Sequence, residues 1–91
     1  MVLTSGIIHA ELYDIETIKG RRRIVSSIKS RLSSRNISLL DIGPGETREA
    51  DIAFAFLSHS PKESAEKIAK IEKSLHSVFP QYDFVVEYES I

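Results

Sequence analysis

Two kinds of hydrophobic spacing share this chain, and together they predict an α+β domain. Four short stretches alternate apolar and polar residues, two longer ones repeat apolar residues at three and four, and the order is β-α-β-β-α-β. A third observation is the charge pattern. Between Glu16 and Asp41 stand Lys19, Arg21, Arg22, Arg23, Lys29, Arg31 and Arg35 with no acid among them, although the formal net charge of the chain is −1. At 91 residues the chain is one domain, residues 1–91, with room for a single core.

The first strand is read over Gly6–Tyr13, with Ile8, Ala10 and Leu12 on one face and Ile7, His9, Glu11 and Tyr13 on the other. Thr17 then stands where its hydroxyl can cap a helix running to about Ser34. At 100° per residue Ile18, Ile24, Val25, Ile28 and Leu32 share an apolar arc of roughly 120°. Lys19, Arg22, Arg23, Ser26, Lys29, Ser30 and Ser33 lie opposite. Arg21 falls inside the apolar arc; its stem covers the core edge with the head turned out, or a carboxylate anchors it. Asn36 suits the left-handed conformation that ends a helix.

Ile37–Ile42 reads as a second strand and Gly43–Glu49 as a loop. Ala50–Ser58 is the most apolar strand and so a central one, with Ile52, Phe54 and Phe56 on one face and Ala53, Ala55 and Leu57 on the other. Ser60-Pro61-Lys62-Glu63 is a capping box with proline at the first helical position. Its helix carries Ala65, Ile68, Ile71, Leu75 and Val78 on one stripe and stops at Pro80. Tyr82–Tyr88 closes the chain as an edge strand, its Phe84 and Val86 interleaved with acids.

A four-stranded antiparallel sheet with both helices on one face satisfies these patterns, which is the ferredoxin-like βαββαβ sandwich. Ile52, Phe54 and Phe56 are assigned to the open sheet face, where an apolar patch would form the seam of a homodimer; burial under the helices is the alternative.

The chain resembles the YlxP-like bacterial family, a domain of unknown function. The resemblance rests on Gly6-Ile7-Ile8-His9-Ala10-Glu11-Leu12 and on Thr17-Ile18-Lys19-Gly20-Arg21-Arg22-Arg23-Ile24-Val25, which is similar to that family's Ser-Leu-Lys-x-Lys-Arg-x-Val-aliphatic run. Ile28–Leu32, Asn36–Leu39 and Ala50–Ser58 follow in register. Members usually carry a tryptophan in the loop between the second and third strands; here that loop is shorter and has none. The resemblance implies a small ferredoxin-like domain, often encoded beside translation-initiation and ribosome-maturation factors, and no established activity.

Chemistry is narrowed by what is missing from the sequence. With no cysteine there is no disulfide, thiolate zinc site or cysteine nucleophile. His9, His59 and His76 lack metal-ligand spacing. Gly43-Pro44-Gly45 is too short for a phosphate loop, and no glycine-rich cradle follows Tyr13 as in acylphosphatases. Ser58-His59-Ser60 lacks an orienting third group. No enzyme, cofactor or metal is expected. The absence of a signal peptide or a roughly 20-residue apolar run makes the expected location cytoplasmic.

Seven of the twelve basic residues fall in the 19–35 stretch; the other five share the rest of the chain with all thirteen acids. Cations at a helix start run against the helix dipole and call for an anionic partner. The sequence reading is a non-enzymatic module presenting Lys19, Arg21, Arg22, Arg23, Lys29, Arg31 and Arg35 to RNA or a ribosomal surface. The competing readings pair these cations with Glu11, Asp14, Glu16 or Glu49 of the same chain, or with an acidic protein surface, the final strand of a second subunit included.

Overall fold

The computed structural model describes residues 1–33, 36–43 and 46–91. Its elements are β1 (Val2–Glu11), α1 (Ile18–Ser33), β2 (Ser38–Gly43), β3 (Glu49–Ser58), α2 (Pro61–Val78) and β4 (Asp83–Ser90). The strands form one antiparallel sheet in the order β2-β3-β1-β4, the ferredoxin-like topology.

β1 begins four residues before the alternating run, because Val2–Ser5 pair with β3 from Val2↔Ser58 onward. Leu3 and Ile91 exchange backbone hydrogen bonds at 2.9 and 2.8 Å, which extends the β4 edge to the last residue. Asn36 takes φ 58°, the left-handed conformation expected of it. Ser60 caps α2, its hydroxyl accepting from the Glu63 N–H at 3.2 Å. The Glu63 carboxylate reaches back to the His59 N–H at 3.4 Å, one residue before the cap.

One face of the sheet is buried beneath the helices. Ile8, Ala10 and Leu12 of β1, Ile52, Phe54 and Phe56 of β3 and Phe84 of β4 pack with Val25, Ile28, Leu32, Ile68, Ile71 and Leu75. This corrects the assignment of Ile52, Phe54 and Phe56 to the open face: they are 0%, 3% and 3% exposed and lie in the core. The reason is size. Burying phenylalanine and isoleucine removes far more apolar area from water than burying alanine. Phe54 stands opposite Gly6 and its ring occupies the space a β-carbon would need.

The open face is therefore built from the other set: Ile7, Leu40, Ala53, Ala55, Leu57 and Val85, with Leu40, Leu57 and Val85 more than half exposed. Small residues in its middle leave a shallow hollow of about 470 Å³ over Ser5, Gly6 and Ala53, rimmed by Glu87 and Glu89. Towards the opposite end of β1, His9 bridges carboxylates of both neighbouring strands, Nδ1 to Asp51 Oδ1 at 2.7 Å and Nε2 to Glu87 Oε2 at 3.1 Å. The Tyr13 hydroxyl lies within hydrogen-bond reach of both the Glu11 and Asp83 carboxylates nearby and can donate its proton to either.

At the far end of the sheet the buried polar groups are hydroxyls that satisfy one another. Thr4 Oγ1 donates to Ser64 Oγ at 3.2 Å and contacts Ser90 Oγ at 2.8 Å, and Ser64 also meets Ser58. Among the described residues no buried side-chain polar atom lacks a partner, as a stable core requires.

Candidate nucleic-acid interface

α1 buries Arg21, Val25, Ile28 and Leu32 and turns its other side outward. The helix starts as its sequence directs: the Thr17 hydroxyl accepts from the Gly20 N–H at 3.0 Å, and Thr17 O accepts from the Arg21 N–H at 3.0 Å. Ile18, placed in the apolar arc by angle, is 44% exposed, and Arg21 is the buried residue of that turn.

Arg21 is anchored by a carboxylate, one of the two arrangements its position allowed. Its guanidinium grips both oxygens of Asp41, Nη1 to Oδ2 at 2.9 Å and Nη2 to Oδ1 at 3.1 Å, while Nε donates to the Glu49 carbonyl at 3.0 Å. Asp41 Oδ1 also accepts from the Gly43 N–H at 3.0 Å. The guanidinium hydrogen bonds hold the Asp41 carboxyl below its ordinary range against partial burial, and the Gly43 N–H helps. Arg21, at 6% exposed and with its fork occupied, is a tie between α1 and β2 and does not face an external anion. This corrects its place in the expected anion-binding set.

The remaining cations are arranged otherwise. Lys19, Arg22 and Arg23 are exposed, and no acid stands in the first turn of α1. Among the described residues none of the three has an ion-pair partner. The acids named as their in-chain partners are engaged elsewhere: Glu11 accepts from Tyr13, the Asp14 carboxylate accepts from the Tyr82 hydroxyl, Glu16 lies 3.8 Å from Arg48, and the Glu49 backbone carbonyl accepts from Arg21. Lys29 is half-buried in a hollow with Ser26, Ser30 and Ser33, and its charge helps to lower the Asp41 carboxyl. Arg31 leans towards α2, its Nε 3.5 Å from Ser74 Oγ. Arg35 lies outside the described residues.

Sequence reasoning missed the contribution of α2. Lys70, Lys73, Ser74 and Ser77 line a groove of about 280 Å³ with Arg31, and no carboxylate lines it. The spacing 70, 73, 77 marks one helix face, yet glutamates at 66 and 72 make α2 read as an ordinary mixed-charge surface. Only the tertiary fold brings that face to Arg31. The helix layer thus carries the cations, and the opposite, open sheet face carries Asp51, Asp83, Glu87 and Glu89.

A family model described as a protein of unknown function, DUF503, matches residues 4–85. The chain belongs to the DUF503 family. Within this DUF503 domain the match spans both helices and most of the sheet. No curated protein matches it. Among solved structures it is similar to a de novo designed protein, Foldit4, at 10% identity and a TM-score of 0.58, covering 100% of this chain and 97% of that one. At that identity the likeness concerns the fold alone. Among the described residues no helix is long and apolar enough to cross a membrane.

Proposed function

We propose that this domain is a non-enzymatic binding module that docks the outer surface of α1 on RNA, free or within a ribosomal particle. The observation that carries the reading is the set Lys19, Arg22 and Arg23, exposed at the start of a helix and unpaired among the described residues. Such cations release counterions when they meet phosphates. Ser26, Ser30 and Ser33 stand on the same helix and line the hollow beside Lys29. Their hydroxyls suit a ligand with 2′-hydroxyls as well as phosphates, which favours RNA over DNA.

The test is RNA binding by fluorescence anisotropy across a salt series, comparing the natural chain with Lys19→Glu/Arg23→Glu. Binding should weaken steeply between about 50 and 200 mM salt, and the double variant should lose at least about tenfold in affinity. RNA binding that ignores both salt and the substitutions would overturn the reading. A second reading, a structural or regulatory homodimer, is favoured by the exposed Leu40, Leu57 and Val85 of the open sheet face. It prevails if Leu57→Glu/Val85→Glu splits a dimer in sedimentation while the α1 variant leaves RNA binding unchanged.

A further inference from the structure

The open face of the sheet plays no part in the α1 reading, and its composition is one-sided. None of the four strands contains a lysine or an arginine. Glu11, Glu49, Asp51, Asp83, Glu87 and Glu89 all belong to this face, alternating along each strand with the residues turned towards the helices. We infer that the open face docks a basic amphipathic helix of another protein, with apolar residues on the sheet and lysines or arginines against these carboxylates.

The register draws the surface. Leu40, Ala53 and Ile7 form one row across β2, β3 and β1, and that row ends on Glu87 of β4. The neighbouring row of Ala55 and Ser5 ends on Glu89, and the one beyond it pairs Leu57 with Leu3. At the other end of the sheet Glu49, Glu11 and Asp83 lie side by side. An apolar field is thus bordered by carboxylates along β4 and across one end. Leu40, Leu57 and Val85 are each more than half exposed, and contiguous apolar surface with a polar rim marks an interaction site. In its middle, the hollow over Ser5, Gly6 and Ala53 has small residues for a floor and Glu87 and Glu89 at its edge. Its volume of about 470 Å³ falls within the ~300–1,000 Å³ of sites that seat a ligand. A large apolar side chain fits there, with a cation on the adjoining turn reaching the rim.

Charge selects the occupant. His9 is the one strand residue able to carry positive charge, and it already stands between Asp51 and Glu87. Tyr13 offers a proton to Glu11 and Asp83 but no positive charge. A second copy laid face to face would set this patch on itself, and repulsion between two surfaces of the same sign opposes that pairing. The α1 surface of a second copy has the opposite charge but lacks the apolar residues, since Ile18 is the only large exposed hydrophobic of that helix. An amphipathic helix with cations beside its apolar stripe supplies both halves at once. It would also cover the uncovered side of the sheet, as a layer of helices does in other folds.

The experiment titrates a fluorescently labelled peptide of about 15 residues, with leucine and lysine at helical spacing, against the full chain at about 0.15 M salt. Two control peptides keep half of the chemistry each, one with serine in place of leucine and one with glutamate in place of lysine. The leucine–lysine peptide should bind at least about tenfold more tightly than either control. Leu40→Ser/Leu57→Ser should weaken it at least about tenfold through lost apolar contact. Glu87→Gln/Glu89→Gln should weaken it about three- to tenfold through lost exposed ion pairs, glutamine still offering an oxygen to His9 Nε2. All four positions are exposed, and thermal denaturation of the protein alone checks that each variant folds. If either control binds as tightly, or both variants bind the peptide as the natural chain does, the inference is overturned. It also falls if sedimentation shows a dimer that Leu40→Ser/Leu57→Ser splits, since a second copy then covers this face. The α1 reading concerns the opposite side of the molecule and survives each of these results.

Discussion

Replacing Arg21 with methionine is the sharpest test of how this fold uses that buried guanidinium. Methionine preserves most of the stem that packs in the apolar stripe while removing the fork that holds Asp41 and the Glu49 carbonyl. Breaking a fully buried ion pair from one side costs roughly 3–5 kcal/mol. Asp41 is 31% exposed and can recover some hydration, so the expected loss is about 2–3 kcal/mol, against total stabilities of ~5–15 kcal/mol for domains of ordinary size. Urea titration should report that loss as a lower midpoint with an unchanged slope. In thermal terms it corresponds to roughly 10–20 °C. Arg21→Met with Asp41→Asn should cost less than the two single changes added, since each removes the same bond. The pair also fixes a pH window. The Asp41 carboxyl is lowered when folded, so its contribution is present above the ordinary value of 3.8 and is lost as pH falls through the lower folded value. Arg21→Met should flatten that acid limb. A loss below about 0.5 kcal/mol, or an acid limb that survives the substitution, would refute the argument that the fork ties α1 to β2.

Gly6→Ala should destabilise by about 1–3 kcal/mol or more, read by thermal denaturation, because a β-carbon there would lie 2.0 Å from the Glu87 carbonyl oxygen and 2.9 Å from Tyr88 Cα, both backbone. His9 is raised above its ordinary 6.5, first by its hydrogen bond to Glu87 and then by that to Asp51. Its contribution is therefore full below about pH 6.5 and is lost as pH rises through the folded value. At 37% side-chain exposure solvent screening limits this to at most roughly 1 kcal/mol, and His9→Gln should abolish that alkaline decline in stability-versus-pH curves. Ser60→Ala should cost about 1 kcal/mol in urea unfolding by freeing the Glu63 N–H that the hydroxyl now binds.

The parts of this fold that were legible in the sequence are those set by near neighbours. The α2 start follows from Ser60, Pro61 and Glu63, and the faces of β1 follow from strict alternation. Arg21 stood out at once as a cation at an apolar angle, yet its partner Asp41 is twenty residues away on another element, and no local rule selects it over Glu11, Asp14 or Glu16. β3 was harder still. Both of its faces are apolar, so a period of two separates Phe54 from Ala53 without saying which faces the helices. Side-chain size decides it, together with Gly6, whose missing side chain leaves room for the Phe54 ring. The α2 contribution to the cationic surface was hidden for a related reason, because Lys70 and Lys73 acquire meaning only beside Arg31.

The start of α1 joins stability to the proposed function. Ile18–Arg21 form the first turn, where Lys19 meets the positive end of the helix dipole, while Arg22 and Arg23 open the second turn, where the dipole effect has largely decayed. Lys19 has no ion-pair partner among the described residues to offset that repulsion. Lys19→Glu reverses the interaction and should stabilise the free protein by about 0.3–1 kcal/mol at low ionic strength, an effect that shrinks as salt is added. The same change should weaken RNA binding by removing one phosphate contact and introducing a repulsive charge. Opposite signs for stability and affinity are the mark of a residue kept for a partner at a cost to its own fold. Urea titrations and anisotropy on the same preparations measure both. If Lys19→Glu destabilises the protein, Lys19 serves an internal contact and the reasoning from the dipole is wrong. If it stabilises the protein and leaves RNA affinity untouched, the positive charge at this turn has another purpose.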